Sequence, residues 1–327
     1  MLRGIKDLGK AVIRQCVRWR LKCLPLSLSQ AEQWSERIKR WPAILGTLNF
    51  HRERTVRSGA LMEVGLIDVV ERHLLVEGDW DPLVRRVLEE ALRPGAICFD
   101  IGANIGTFTL LASRLVGAGG LVVAFEPSVR ALRRLAHHLT INACENVVVV
   151  SSALGQSQGL IKLGWAPESN IGASAIGRHD SHFQKRQEQI SVARLDEVVE
   201  RMALVPDLLK IDVEGFEMQV LRGGEKTLQQ HHPVVVLELT DRFLNDHGDS
   251  AVDLVAFMEK LGYRTFLLEP AESTGISCRE CTGNPHLIPV NQVEVVFSAI
   301  APKFLNLPAA ASVPPLQPSA GAPGAAT

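Results

Sequence analysis

The run from Cys98 to Leu110, C-F-D-I-G-A-N-I-G-T-F-T-L, constrains the chain more than any other stretch, because it joins a strand ending near Asp100 to a glycine turn and then a helix. Ile97, Phe99 and Ile101 favour extended backbone. Gly102 and Gly106 permit positive φ and close approach to the backbone, and from Thr107 to Leu115 the apolar residues return at helical spacing. Such a unit places a ligand at the carboxyl end of its strand, so the expected fold class is α/β with a doubly wound, mainly parallel sheet. A diphosphate site would offer G-x-G-x-x-G and bare N–H groups. Here the spacing is G-x-x-x-G with a carboxylate two residues ahead, and Asp100 would repel a pyrophosphate. The arrangement suits a ligand with a cationic amino group and no phosphate, which describes S-adenosylmethionine. The alternative is a loop carboxylate that only caps the next helix.

Leu121 to Phe125 reads as a second strand, closed by Glu126 where an acid grips ribose hydroxyls in doubly wound folds. Pro127 ends the strand and Ser128 opens a helix. A third strand at Val147–Ser151 leads into Ser152-Ala153-Leu154-Gly155, placed to flank an adenine ring. The expected cofactor contacts are therefore Asp100, Gly102, Asn104, Gly106, Glu126 and Ala153.

A second constellation lies in L-L-K-I-D-V-E-G-F-E from Leu208 to Glu217. Leu208, Leu209 and Ile211 form a short buried strand, and Lys210, Asp212 and Glu214 follow where it runs out into a turn. Carboxylates there are costly to desolvate unless they pair or do chemistry. Lys210 reads as an internal salt bridge with Asp212 or Glu214, and Asp212 and Glu214 as the candidate catalytic pair. The strand Val234–Leu239 brings Glu238 to the same edge, where Asp212 and Glu238 could share a divalent metal.

Three blocks in order, F-D-I-G-A-N-I-G at Phe99–Gly106, F-E-P at Phe125–Pro127 and K-I-D-V-E-G-F-E at Lys210–Glu217, make the chain resemble the FkbM family of S-adenosylmethionine-dependent methyltransferases. Asn142 with Asn146-Val147, N-I-G-A-S at Asn170–Ser174 and L-D-E at Leu195–Glu197 extend the likeness, which spans about Pro94 to Leu239. The resemblance implies a seven-stranded Rossmann-like sheet and methylation, usually of a hydroxyl on a sugar, glycan or natural product. It implies S-adenosyl-L-methionine as methyl donor and a small-molecule or glycan acceptor, whose proton Asp212 or Glu214 would remove. A nicotinamide-dependent oxidoreductase and a non-catalytic nucleoside-binding scaffold are the rival classes.

The division expected is a helical N-terminal extension over 1–80, the methyltransferase domain over 81–302 and a disordered Pro/Ala-rich tail over 303–327. Residues 1–26 alternate basic and apolar positions as a basic amphipathic helix, for peripheral contact with an anionic membrane surface or for packing on the main domain. The loop from Ala166 to Glu188 reads as a mobile lid. A formal net charge of −1 gives no general attraction to nucleic acid, so none is expected as a partner. Six cysteines, mostly scattered singly, match a reduced, cytoplasmic compartment, and C-x-x-C at Cys278–Cys281, with His286 nearby, reads as a loop ahead of a zinc site.

Overall fold

Two short strands, β1 (His51–Thr55) and β2 (Leu61–Gly65), pair antiparallel with His51 opposite Gly65, and the helices α1 (Val69–Val76) and α2 (Pro82–Ala91) follow. The fold is that of a computed structural model, which describes residues 27–30, 33, 51–177, 186–270, 276–284, 288–289 and 292–299. The amphipathic segment 1–26, the tail beyond 303 and residues 178–185 of the expected lid lie outside the described residues. The hairpin corrects the expectation of a helical stretch through residue 80. In L-M-E-V-G the residues alternate, and Met62 and Val64, both 0% exposed, pack with Ile105 and Leu110 of the main domain.

The central unit runs β3 (Ile97–Ile101), α3 (Thr107–Val116), β4 (Leu121–Phe125), α4 (Val129–Ile141) and β5 (Val147–Val150). A small sheet interrupts it, formed by β6 (Ala153–Leu154), β7 (Gly159–Gly164), β8 (Ala175–Ile176) and β9 (Gln187–Ala193), with β7 and β9 antiparallel. The second half comprises α5 (Leu195–Met202), β10 (Leu208–Ile211), α6 (Glu217–Gly223), α7 (Glu225–His231), β11 (Val234–Leu239), α8 (Asp241–Asn245), α9 (Ala251–Lys260), β12 (Arg264–Pro270), β13 (Ile276–Glu280) and β14 (Val293–Ser298).

The main sheet has the order β13-β12-β14-β11-β10-β3-β4-β5. Strands β5, β4, β3, β10 and β11 run parallel, and β14 enters antiparallel between β11 and β12. This is the Rossmann-like methyltransferase arrangement, with β13 added as an eighth strand at one edge. The C-x-x-C segment expected as a loop contributes that strand. It carries Arg279 and Glu280 into ion pairs with Glu269 and Arg264 of β12, charges of the kind that keep an edge from pairing further.

Side-chain alternation along β3 and β10 separates two apolar layers. Phe99, Ile101, Leu209 and Ile211 meet the helices α5, α6, α7 and α9, whereas Cys98 and Leu208 meet α2 and α3. Between the two strand ends the turn is very close: a Cβ on Gly102, whose φ is +82°, would stand 1.9 Å from the carbonyl oxygen of Asp212. Gly102→Ala is therefore expected to destabilise the protein by at least about 2 kcal/mol through forced backbone movement. Gly119→Ala, with no atom within 4 Å of the new methyl group, should leave the denaturant midpoint nearly unchanged. Equal midpoints for the two variants would show that this close approach is not a structural constraint.

Candidate functional site

Strand β10 is buried along its whole length although its third residue is a lysine. Lys210 pairs in register with Asp100 of β3, so both side chains project from the same face, towards α3. The ammonium has three donors and meets three oxygens: Gly102 O at 3.1 Å, Asp100 Oδ1 at 3.4 Å and Asp212 Oδ2 at 3.5 Å. The Phe108 ring lies 5.4 Å away. Burial disfavours the charged amine, but the Asp212 and Asp100 carboxylates outweigh it and hold Lys210 protonated, above its ordinary range.

Asp100 is 1% exposed, and its other oxygen accepts a 2.6 Å hydrogen bond from Thr109 Oγ1. In this structure it sits beneath the glycine turn, engaged with Lys210 and Thr109, and is not among the residues that line the cleft. Strand alternation is the reason, since the face carrying Cys98 and Asp100 is covered by helices.

The cleft itself opens over the carboxyl ends of β3, β4 and β10 and encloses about 600 Å³ of space, part of it continuous with solvent. Gly102 and Asn104 form its floor, Glu126 and Pro127 one side, Ser152, Ala153 and Leu154 one end, and Asp212, Val213 and Phe216 the other side. Asn104 adopts φ +49°; its N–H donates to Glu126 Oε2 at 2.8 Å, while its side-chain Oδ1 is buried without a hydrogen-bond partner. Glu126 also accepts from Ser128 N at 2.8 Å. Burial pushes the Glu126 carboxyl up to about 7 against the pull of those two N–H groups.

Of the other expected residues, Ala153 and Asp212 line the cleft, and Gly106, Glu214 and Glu238 do not. Gly106 serves packing, because a Cβ there would stand 2.6 Å from Leu135 Cδ1 of α4. Asp212 is 36% exposed at its side chain and presents one oxygen to Lys210. Glu214 occupies the turn at φ +56°, and Glu217 braces that turn by accepting from Val213 N and Gly215 N at 3.2 and 3.1 Å. Burial raises Glu217 to about 7, and raises Glu238 well above the carboxylate range with help from the charges of Asp212 and Glu214. Asp81, which caps α2, is likewise raised to about 7 by burial and by Glu294 and Asp212. Among the described residues no group of three or more His, Cys, Asp or Glu side chains is arranged to hold a metal ion, at Asp212 and Glu238 or at the cysteines. His231 and His232 lie away from the cleft, at the end of α7.

Sequence reasoning missed Phe216, Leu163 and Ile176 as cleft walls, since isolated apolar residues carry no ligand signal before the small sheet is folded over them. Residues 166–177 of the expected lid are tied down by Arg130 to Ala166 O at 2.8 Å and by Ile171 N to Asp68 at the start of α1, and Ser174 Oγ donates to Ile171 O at 2.8 Å within the segment.

Residues 100–265 match the methyltransferase FkbM domain. The chain belongs to the FkbM methyltransferase family. Among similar proteins, the 31-O-demethyl-FK506 methyltransferase FkbM of Streptomyces tacrolimicus is 33% identical over 176 residues, covering 46% of this chain and 67% of that protein. The hexuronic acid methyltransferase AglP of Haloferax volcanii is 30% identical over 162 residues, 49% of this chain, and the match spans 62% of its own length. The crystal structure of a methyltransferase FkbM from Methylobacillus flagellatus aligns with a TM-score of 0.41 at 16% identity, covering 81% of this chain and 60% of that one. Among the described residues no helix is long and apolar enough to cross a membrane.

Within this FkbM domain, Lys210→Met should leave the Asp100 carboxylate buried without its counter-charge and cost about 3–5 kcal/mol. Adding Asp100→Asn should recover most of that loss. Denaturant unfolding of the single and double variants measures it; a double variant no more stable than Lys210→Met would mean that the pair is not coupled.

Proposed function

We propose that the chain transfers a methyl group from S-adenosylmethionine to a hydroxyl oxygen of a sugar, glycan or natural product. The observation that carries this reading is that Glu126 and Asp212, each just past the end of a strand flanking β3, line one cleft. One acid suits ribose hydroxyls and the other is half-open to an acceptor. The cleft fits the cofactor in other respects: the buried, unpartnered Asn104 Oδ1 can accept from a ligand N–H or O–H. Ala153, Leu154, Leu163 and Ile176 provide an apolar slot for a flat ring. The names of the two relatives, one for a hexuronic acid and one for a 31-O-demethyl compound, support an oxygen acceptor.

When bound, S-adenosylmethionine supplies a methyl group that its sulfonium has already activated. The protein then has to hold the acceptor oxygen in line at near-attack distance and exclude water, and positioning carries most of the rate. Glu126 holds the ribose end. Asp212 is the general base: its Oδ2 is held by Lys210 at 3.5 Å, and its part-exposed carboxylate lines the cleft where it would take the acceptor's hydroxyl proton. Phe216 covers the same side of the cleft. Glu214, outside the lining, acts on this site through its charge in the turn, and Asp100 acts by holding Lys210 and the glycine turn.

Asp212→Asn should keep the affinity for S-adenosylhomocysteine near that of the wild type and lower single-turnover methylation on the order of 10² or more, because Asn cannot accept the proton. If Asp212→Asn turns over normally while Glu214→Gln is inactive, the base is Glu214. If both turn over normally, neither acid removes the proton.

A further inference from the structure

The loop 169–174, whose Ser174 lines the cleft, is fastened to the start of α1 by the Asp68 carboxylate and one backbone hydrogen bond. Asp68, 4% exposed, accepts from Val70 N at 2.9 Å and Glu71 N at 3.1 Å through Oδ1, capping the helix. Its Oδ2 accepts from Ile171 N at 2.7 Å, a residue 103 positions away. Beside it, Val69 N donates to Ser169 O at 2.9 Å. The loop next presses on the glycine turn, for a Cβ on Gly172 would stand 2.5 Å from Asn104 Nδ2. Asn104 in turn donates its N–H to Glu126, and Ser174, at the far end of the same loop, lines the cleft.

We infer that Asp68 is a positioning residue for the cofactor cleft: by latching Ile171 it holds the loop 169–174 against Asn104, and cofactor retention depends on it although it touches no ligand. This rests on the cofactor reading given above. The two oxygens divide two tasks, which allows them to be separated. A lone helix cap would need only Oδ1, and nothing local to α1 calls for a second, buried acceptor aimed at a distant loop.

The test uses Asp68→Asn and Asp68→Ser. Both residues are good helix caps, but Asn replaces one acceptor with an amide donor and Ser is too short to reach the loop. Hydrogen exchange of residues 169–174 in the cofactor-free protein should quicken on the order of tenfold in both variants. Calorimetric affinity for S-adenosylhomocysteine should fall about tenfold, the effect of one lost hydrogen bond to a charged group, with the thermal midpoint lowered by no more than a few degrees. Unchanged exchange would overturn the latch. Faster exchange with wild-type affinity would overturn its role at the cleft. A wild-type protein that binds no S-adenosylhomocysteine would instead reject the cofactor reading, and with it this role, in an arm of the experiment that needs no variant.

Discussion

The buried ammonium of Lys210 is the constraint on which the rest of the site depends. A lysine in the middle of a buried strand is tolerated only if its charge is met, and here two carboxylates and the Gly102 carbonyl meet it. Because those oxygens belong to β3, to the glycine turn and to the residue just past β10, one cation fixes the relative position of the two central strand ends. It also commits one oxygen of Asp212, a residue that lines the cleft. Gly102 completes the arrangement, since no other residue lets its backbone approach the Asp212 carbonyl so closely.

The site is therefore crowded with carboxyl groups around the neutralised Lys210 ammonium. Asp100, Glu126, Asp212, Glu214, Glu217 and Glu238 converge on it, and burial raises Glu126 and Glu217 to about 7. For these two, the unfolded chain releases its protons near 4.5 while the folded protein keeps them until about 7. Their contribution to stability therefore falls as pH rises through that window and stays low above it. A ligand carrying a sulfonium and an ammonium would offset that repulsion, whereas a diphosphate would add to it.

What could be read in the sequence was what local pattern encodes. The strands at Ile97, Leu121, Leu208 and Val234 announced themselves by apolar runs, and Glu126 and Asp212 by their places at strand ends. What could not be read was register and distance. The partnership of Asp100 with Lys210 follows from β3 lying beside β10, a neighbour relation no periodicity reveals, and Lys210 reaches a turn 108 residues away. The hairpin at 51–65 was concealed by charged residues on its outer face, and β13 by turn-like residues around its cysteines. Asp68 could be anticipated as a helix cap, but its second oxygen finds Ile171 only in three dimensions.

What occupies the cleft decides whether this protein is a methyltransferase that uses S-adenosylmethionine. Calorimetric titration at pH 8.5, where Glu126 is ionised, should show S-adenosylhomocysteine binding to the wild-type protein and NAD failing to bind. Glu126→Ala should weaken S-adenosylmethionine and S-adenosylhomocysteine alike, by about tenfold or more, because a ribose contact does not sense the sulfonium. Saturable binding of NAD in place of S-adenosylhomocysteine, or a folded Glu126→Ala protein with wild-type affinity for both nucleosides, would contradict the proposed use of S-adenosylmethionine.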